Sequence, residues 1–359
     1  MNDKELQSLV EFSGKLPVLS VYLDTNLAGK SKDAVRLMFR ELTRKLDAHA
    51  TTDVESVQRF LDYEYDWQSR GVAVFASGRD LWQVVPLPVA PSSQAWYLPR
   101  PYVRVLTDIM DRFAEYSIAV VDQEGVRLYS VSWGKIRPET EAFGAQLKHH
   151  RAEGRFGAGR QRHEDMVALR NLRQAGEEIY DYCQATGCKR LMLGGNPGVL
   201  ASFREQAPKA LLERLIGEFP VDIDASSAEV LYRSLDIVAQ ADRAREERLV
   251  EAAITAAAKG GAGTMGASDT LYALHQGRVR TLLVEESFHV PGFVCAQCGF
   301  LSPARHDACP VCKGAEVTES PDVVNLAIRK AAEMGAEVEV VRQNQELLTA
   351  GGVAALLRY

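Results

Sequence analysis

Residues 190–198 read Arg-Leu-Met-Leu-Gly-Gly-Asn-Pro-Gly, an apolar run that stops at two glycines and a helix-starting Asn-Pro. A run this short, ended by turn residues, predicts a buried strand, and the segment after it predicts a helix reaching to about Gly217. Just upstream, Leu172, Ala175, Ile179 and Cys183 recur at helical spacing. Further upstream, residues 116–136 alternate as a hairpin around Asp-Gln-Glu-Gly. Helix, strand, turn and helix in succession predict a parallel α/β sheet.

The same alternation holds on either side. Leu16–Thr25 predicts a first buried strand, followed by a helix with Val35, Met38, Leu42 and Leu46 on one face and a second helix over 54–65. Residues 71–78 and 80–88 predict two strands, and the proline-rich stretch 86–101 predicts a crossing without regular structure. A long charged helix is expected over 225–259, then a glycine-rich joint, Lys259–Gly266. Beyond it come a helix, the strand Val-Arg-Thr-Leu-Leu-Val-Glu, a cysteine-rich insert, another helix and the strand Glu-Val-Glu-Val-Val-Arg. The expected architecture is therefore α/β throughout. It has three α/β domains: 1–112, a middle domain 113–240, and a C-terminal domain 241–359 with a zinc ribbon inserted near 293–315.

A chain of 359 residues is too long for one ordinary core, which agrees with this division. The composition, 46% hydrophobic and 25% charged, is that of a globular protein. A net charge of −6 argues against general coating of nucleic acid but leaves room for a local basic surface. No apolar run has signal-peptide or membrane-span length, so a cytoplasmic protein with no membrane partner is expected.

The insert carries Cys295-x2-Cys298 and Cys309-x2-Cys312. Two such knuckles suit tetrahedral zinc, whereas a redox pair would leave the second knuckle unexplained. Four sulfur ligands leave no open position, so the expected zinc is structural. His306 reads as a loop residue, and Cys183 and Cys188 as small buried residues. Gly261, Gly263 and Gly266 match a dinucleotide-binding fingerprint, but a long helix precedes them where that motif needs a strand. The Gly194-Gly195-Asn196-Pro197 turn reads as a tight strand-to-helix connection rather than an anion site.

One segment stands out from the acidic background. Residues 148–165, KHHRAEGRFGAGRQRHED, hold Lys148, His149, His150, Arg151, Arg155, Arg160, Arg162 and His163 around three glycines, with Gln161 just beyond them. One reading is a solvated connection ahead of a helix headed by Glu164 and Asp165. The other is RNA contact, since glycines let the backbone approach phosphate and sugar while the cations neutralise them.

The order of parts resembles the archaeal and eukaryotic class I release factor and Pelota superfamily, and more closely its bacterial release-factor-like members. The resemblance is carried by LPVLSVYLDT, by GVAVFASGRDLWQVVPLP with YLPRPYVRVLTDIM, by YSIAVVDQEGVRLYSV, by LYALHQGRVRTLLVEES and by the ending GGVAALLRY. It implies a translation factor that enters the ribosomal A site, with rRNA and peptidyl-tRNA as partners and a translational GTPase as a further one. In that family the middle-domain loop carries Gly-Gly-Gln to the peptidyl-transferase centre. The glutamine helps position water there and a backbone amide stabilises the leaving oxygen. Carried onto this sequence, the catalytic candidates are Gly157, Gly159 and Gln161. This loop departs from the pattern, because Gly-Ala-Gly-Arg-Gln separates glycine from glutamine. A second alignment gives Arg160–Arg162 to the following helix and puts the tip at Gly154-Arg155-Phe156, without a glutamine. Neither Asn-Ile-Lys-Ser nor Tyr-x-Cys-x-x-x-Phe is present, so stop-codon reading is not expected. Two functions stay open. One is peptidyl-tRNA ester hydrolysis on stalled ribosomes; the other is a non-catalytic ribosome-binding factor for hibernation, stress protection or splitting. An RNA-binding zinc protein unconnected to ribosomes is a weaker third.

Overall fold

The computed structural model describes residues 3–46, 48–145 and 157–359. In the first segment, α1 (Asp3–Glu11) precedes β1 (Val18–Asp24), α2 (Lys32–Thr43) and α3 (Thr51–Arg59), which continues as a π-helical turn over Phe60–Glu64. β2 (Gly71–Ser77), β3 (Leu81–Leu87), β4 (Gln94–Leu98) and α4 (Arg104–Arg112) follow. The sheet runs β3-β2-β1-β4 with antiparallel pairs throughout. Its two central strands are buried on both faces, which is why they read as unbroken apolar runs. Ser31 starts α2 by accepting the Ala34 N–H at 3.2 Å. Val35 and Phe39 form the buried face, while Met38 is exposed, so the helix is turned by one position from the expected phase. The proline-rich stretch also departs from expectation, since it contains β4, paired along β1. An edge strand tolerates flanking prolines because its outer N–H groups need no partner.

The middle segment begins with β5 (Tyr116–Val121) and β6 (Gly125–Ser132). Asp122 builds the turn between them by accepting from the N–H groups of Glu124 and Gly125 at 2.8 and 2.7 Å. β7 (Lys135–Phe143) joins β6 through Trp133 and Gly134, both with positive φ, as a two-residue primed turn demands. After the loop come α5 (Gly157–Thr186), β8 (Leu191–Gly195), α6 (Pro197–Gln206), the short α7 (Lys209–Leu212) and β9 (Leu215–Phe219). The five strands lie in the order β7-β6-β5-β8-β9, with β5, β8 and β9 parallel. The expected parallel α/β sheet is present. The helix expected to reach Gly217 instead stops before Pro208, and Gly217 lies in β9. Pro208 has no N–H to continue a helix, and a Cβ on Gly217 would come within 2.3 Å of Ile237.

The long helix is α8 (Ser227–Ala258). β10 (Gly263–Met265) follows, so part of the glycine-rich joint is a strand rather than a linker. Then come α9 (Ala267–His275), β11 (Val279–Glu285), β12 (Gly292–Cys295), β13 (Leu301–Ser302), β14 (Val317–Ser320), α10 (Val323–Glu333), β15 (Glu337–Val341), α11 (Gln345–Thr349) and β16 (Val353–Leu357). β11 and β15 are parallel inside the sheet β10-β16-β11-β15. The small sheet β13-β12-β14 interrupts the crossover between them. Residues 1–112 and 246–359 form one compact unit, and residues 113–245 form another.

Within the first unit, a buried polar knot ties the start of α4 to α10. Asp322 caps α10 through the Val324 N–H at 3.0 Å and accepts from Tyr102 Oη at 3.1 Å and Arg104 Nη1 at 3.3 Å. Arg104 also donates to the carbonyls of Glu285 and Glu286. Asn325 accepts the N–H groups of Val103 and Arg104 at 3.1 and 3.2 Å. The Asp322 side chain is 2% exposed and that of Arg104 5%, so neither ion has water as an alternative partner.

Candidate functional sites

The small sheet β13-β12-β14 positions the four cysteines. In the first knuckle the Cys295 N–H donates to the Phe300 carbonyl and the Gly299 N–H returns to the Cys295 carbonyl, both at 2.9 Å. The second knuckle repeats this: the Cys309 N–H donates to Gly314 at 2.8 Å and the Lys313 N–H to Cys309 at 2.9 Å. Gly299 and Lys313 hold matching positive-φ corners. The thiols then pair across the knuckles, with Sγ atoms 3.6 Å apart for both Cys295–Cys312 and Cys298–Cys309. All four sulfurs lie within 4.8 Å of one another.

That spacing is far beyond the roughly 2.05 Å of a disulfide. It fits the edge of a zinc–thiolate tetrahedron, about 3.8 Å for Zn–S bonds of about 2.3 Å. Burial works against ionising Cys309, but the N–H groups of Cys312 and Val311 and the Cys298 thiol bring it down to about 7. Burial and the other three thiols push Cys298 up to about 12. With the Cys298 proton held back, the tetrad needs a cation to deprotonate fully. His306 is exposed, with Nε2 3.0 Å from Ser302 Oγ, and is not one of the cluster.

A second acidic group, Asp111, Glu246 and Glu339, also converges. Arg342 supplies its positive charge: Nη1 reaches Glu246 at 2.6 Å and Nη2 reaches Asp111 at 3.1 Å. Burial disfavours that guanidinium, yet Asp111, Glu246 and Asp108 hold its pKa above the usual value. This cluster is a structural ion network, and sequence spacing carried no hint of it.

In the middle unit, the parallel strands β5, β8 and β9 end at a crevice of about 580 Å³ lined by Asp122, Asn196, Asp222, Asp224 and Arg233 among others. The Asn196 side chain accepts the Gly198 N–H at 2.9 Å, and Arg233 is engaged by Glu229 and the Pro220 carbonyl. Three aspartates on the wall disfavour an anion. A Cβ on Gly195 would come within 2.5 Å of the Val121 carbonyl, so the turn needs its glycine for packing.

The basic segment lies between β7 and α5. Helix α5 packs Leu172, Ala175, Ile179 and Cys183 into the core, as expected. One residue nearer its start, the buried Asn171 ties α5 to the chain leaving β7 and to the β5–β6 turn. Its Nδ2 donates to the carbonyls of Gln123 (3.1 Å) and Ala145 (2.9 Å), and its Oδ1 accepts the Ala145 N–H at 3.1 Å. Gly144 fits beneath it only without a side chain, because a Cβ would lie 2.2 Å from Asn171 Oδ1. The chain therefore leaves the sheet at a fixed point and returns as a helix. Sequence reasoning missed Asn171, whose only signal is a polar residue on the apolar face of α5.

Of the predicted RNA-contacting residues, Lys148, His149, His150, Arg151 and Arg155 lie outside the described residues. Gly157, Gly159, Arg160, Gln161 and Arg162 belong by their backbone to the first turns of α5, and their side chains lie outside the description. His163 is exposed. Farther along α5, Met166 and Leu169 are exposed apolar residues, 69% and 40% accessible. Among the described residues, no helix is long and apolar enough to cross a membrane.

Comparison with known proteins places these features. Residues 101–239 match the family model for bacterial archaeo-eukaryotic release factor family 10. No curated protein sequence matches the chain. Among solved structures, an archaeal translation termination factor, aRF1, is 17% identical, covering 100% of this chain and 99% of its own, with a TM-score of 0.29. Archaeoglobus fulgidus Pelota is 14% identical over 80% of this chain and 79% of its own, with a TM-score of 0.35. The translation termination-like factor Dom34 of S. cerevisiae is 9% identical over 82% and 81%, with a TM-score of 0.44. Scores of this size carry no argument about function. The matched span holds the whole five-stranded sheet, its pinned loop root and helix α5, and over that span the chain is similar to the bacterial release-factor-like proteins.

Proposed function

We propose that this chain acts on the ribosome as a release-factor-like factor that presents its basic loop, residues 146–156 with the start of α5, to RNA in the A site. The carrying observation is the loop root. Asn171 and Gly144 fix where the loop leaves the sheet, and α5 fixes where it returns, so cationic residues are delivered from a rigid base. The family match over residues 101–239 supports translation as the setting.

Within that setting, the position of Gln161 favours binding without ester hydrolysis. Its backbone lies in the first turns of α5, and Gly154-Arg155-Phe156 before the helix contains no glutamine. The second reading, peptidyl-tRNA hydrolysis by Gln161 with Gly157 and Gly159, rests on the family's Gly-Gly-Gln chemistry. Release of labelled peptide from ribosome–peptidyl-tRNA complexes separates the two. The binding reading predicts no release by the wild type while it remains ribosome-bound. Release that disappears in Gln161→Ala would establish hydrolysis instead. A translational GTPase that delivers the factor belongs to either reading.

We further propose that Cys295, Cys298, Cys309 and Cys312 hold one zinc ion with a structural role. Zinc would supply the charge that keeps all four sulfurs ionised. The residues themselves form the two knuckles and close every coordination position.

A further inference from the structure

The first unit contains a partly enclosed cavity of about 610 Å³ where the end of β4 and the ribbon face α10. Its volume is that of a small-molecule site. Leu98, Leu301, Leu326 and Met334 give it an apolar body. Three cations, Arg100, Arg329 and Lys330, also line it.

The pairing of these cations is incomplete. Lys330 Nζ donates to the Gly299 carbonyl at 2.9 Å and lies 3.0 Å from His275 Nδ1, and among the described residues no carboxylate forms an ion pair with it. Arg100 Nη1 donates to the Phe12 carbonyl at 2.6 Å, again a neutral acceptor. Arg329 Nη2 pairs with Glu333 at 2.9 Å, but its Nη1 is buried without an acceptor. Burial works against the Arg329 charge; Glu333 opposes this and outweighs the smaller repulsion from Arg100, but does not make up for the burial. Of the other lining carboxylates, Asp322 is committed to Tyr102 and Arg104, and Glu319 is exposed. A buried guanidinium N–H without an acceptor is a standing penalty. An anion entering the cavity, met by a small rotation of the guanidinium, would supply the missing acceptor and a counter-charge for the buried cation.

We infer that this cavity is a binding site for a small amphipathic anion, with an apolar body between Leu98, Leu326 and Met334 and a carboxylate or phosphate held by Arg329 and Arg100. Every residue of the site lies in the first unit, and binding there does not depend on the ribosomal reading. Nothing about it requires RNA.

The test uses the full chain and three probes with one apolar body: 2-naphthoate, 2-naphthyl phosphate and the neutral 2-naphthamide. Binding is followed by titration calorimetry and ligand-observed NMR. The inference predicts saturable binding of at least one anion, about tenfold or more tighter than the amide, as expected for a charge-assisted contact. Whichever anion binds more tightly identifies the carboxylate or phosphate source. Arg329→Met should reduce anion binding to the level of the amide, and Leu326→Trp should weaken all three probes by filling the body of the site. Circular dichroism and melting of each variant establish that it is folded. If Arg329→Met does not fold, Arg100→Gln and the wild-type anion-to-amide ratio decide. Absence of saturable binding, equal binding of anion and amide, or unchanged anion affinity in a folded Arg329→Met would overturn the inference.

Discussion

Replacing Asp322 by Ala removes a carboxylate on which contacts from α10, from the start of α4 and from His289 converge. The change deletes the α10 cap on Val324, the acceptor of the Tyr102 hydroxyl and the counter-charge of Arg104. Breaking a buried ion pair from one side destabilises by about 3–5 kcal/mol, because the remaining charge stays buried. Loss of a helix cap adds about 1 kcal/mol. Arg104 keeps two carbonyl acceptors, at Glu285 and Glu286, which moderates the first figure. The net expectation is about 3–4 kcal/mol for the unit formed by residues 1–112 and 246–359. For a unit of that size this corresponds to roughly 6–16 °C in melting temperature. Urea unfolding followed by tryptophan fluorescence is the assay, since Trp96 stacks on Tyr102 at 4.7 Å within the knot and reports it directly. Asp322→Asn keeps shape and cap acceptor and should lose only about half as much. A shift below about 1 kcal/mol for Asp322→Ala would refute the claim that this knot ties α4 to α10.

Other consequences follow from the same physical terms. Burial raises the Tyr102 phenol well above its usual value, with Asp322 adding to the effect. The neutral phenol is favoured in the fold, so its contribution is complete below about pH 10 and is lost as pH rises from there toward the folded-state value. Stability measured from pH 9 to 11 should fall in the wild type, and the slope should be shallower in Tyr102→Phe. The cysteine tetrad should bind one zinc per chain by elemental analysis. Cys309→Ala should abolish it, and chelation should unfold the ribbon while leaving the middle unit's melting unchanged. Gly144→Ala places a Cβ against Asn171 Oδ1 and should destabilise the middle unit by about 1–3 kcal/mol in denaturant melts, through overpacking at the loop root.

The parts that were legible in the sequence were those with local signals. The buried strands β1, β2, β8 and β11 announced themselves as short apolar runs, and the convergence of the four cysteines followed from two identical spacings. The ribbon's position inside a crossover was also readable, because helix and strand patterns resume on either side of it. What was missed lacked such a signal. β7 is charged and exposed along most of its length and contains Pro138, so it carries no apolar alternation; its place at the sheet edge explains why it needs none. β4 was hidden among prolines for the same reason. Gly263–Met265 looked like a linker because three residues hold no periodicity, although their pairing with Leu356, Ala355 and Ala354 makes them a strand. The Arg342 network and the Asn171 clamp join residues far apart in the chain, and no single-sequence pattern records that proximity.

We propose above all that the middle unit carries a basic loop into ribosomal RNA. Sedimentation with ribosomes across a salt series tests it, comparing the wild type with a variant in which Lys148, Arg151, Arg155, Arg160 and Arg162 are replaced by Gln. The wild type should pellet with ribosomes, with affinity falling steeply as salt rises. In the Gln variant, affinity should drop by about tenfold or more and the salt slope should flatten, since fewer counterions are released. Equal affinity and equal salt slope for the two proteins, with melting unchanged, would contradict it.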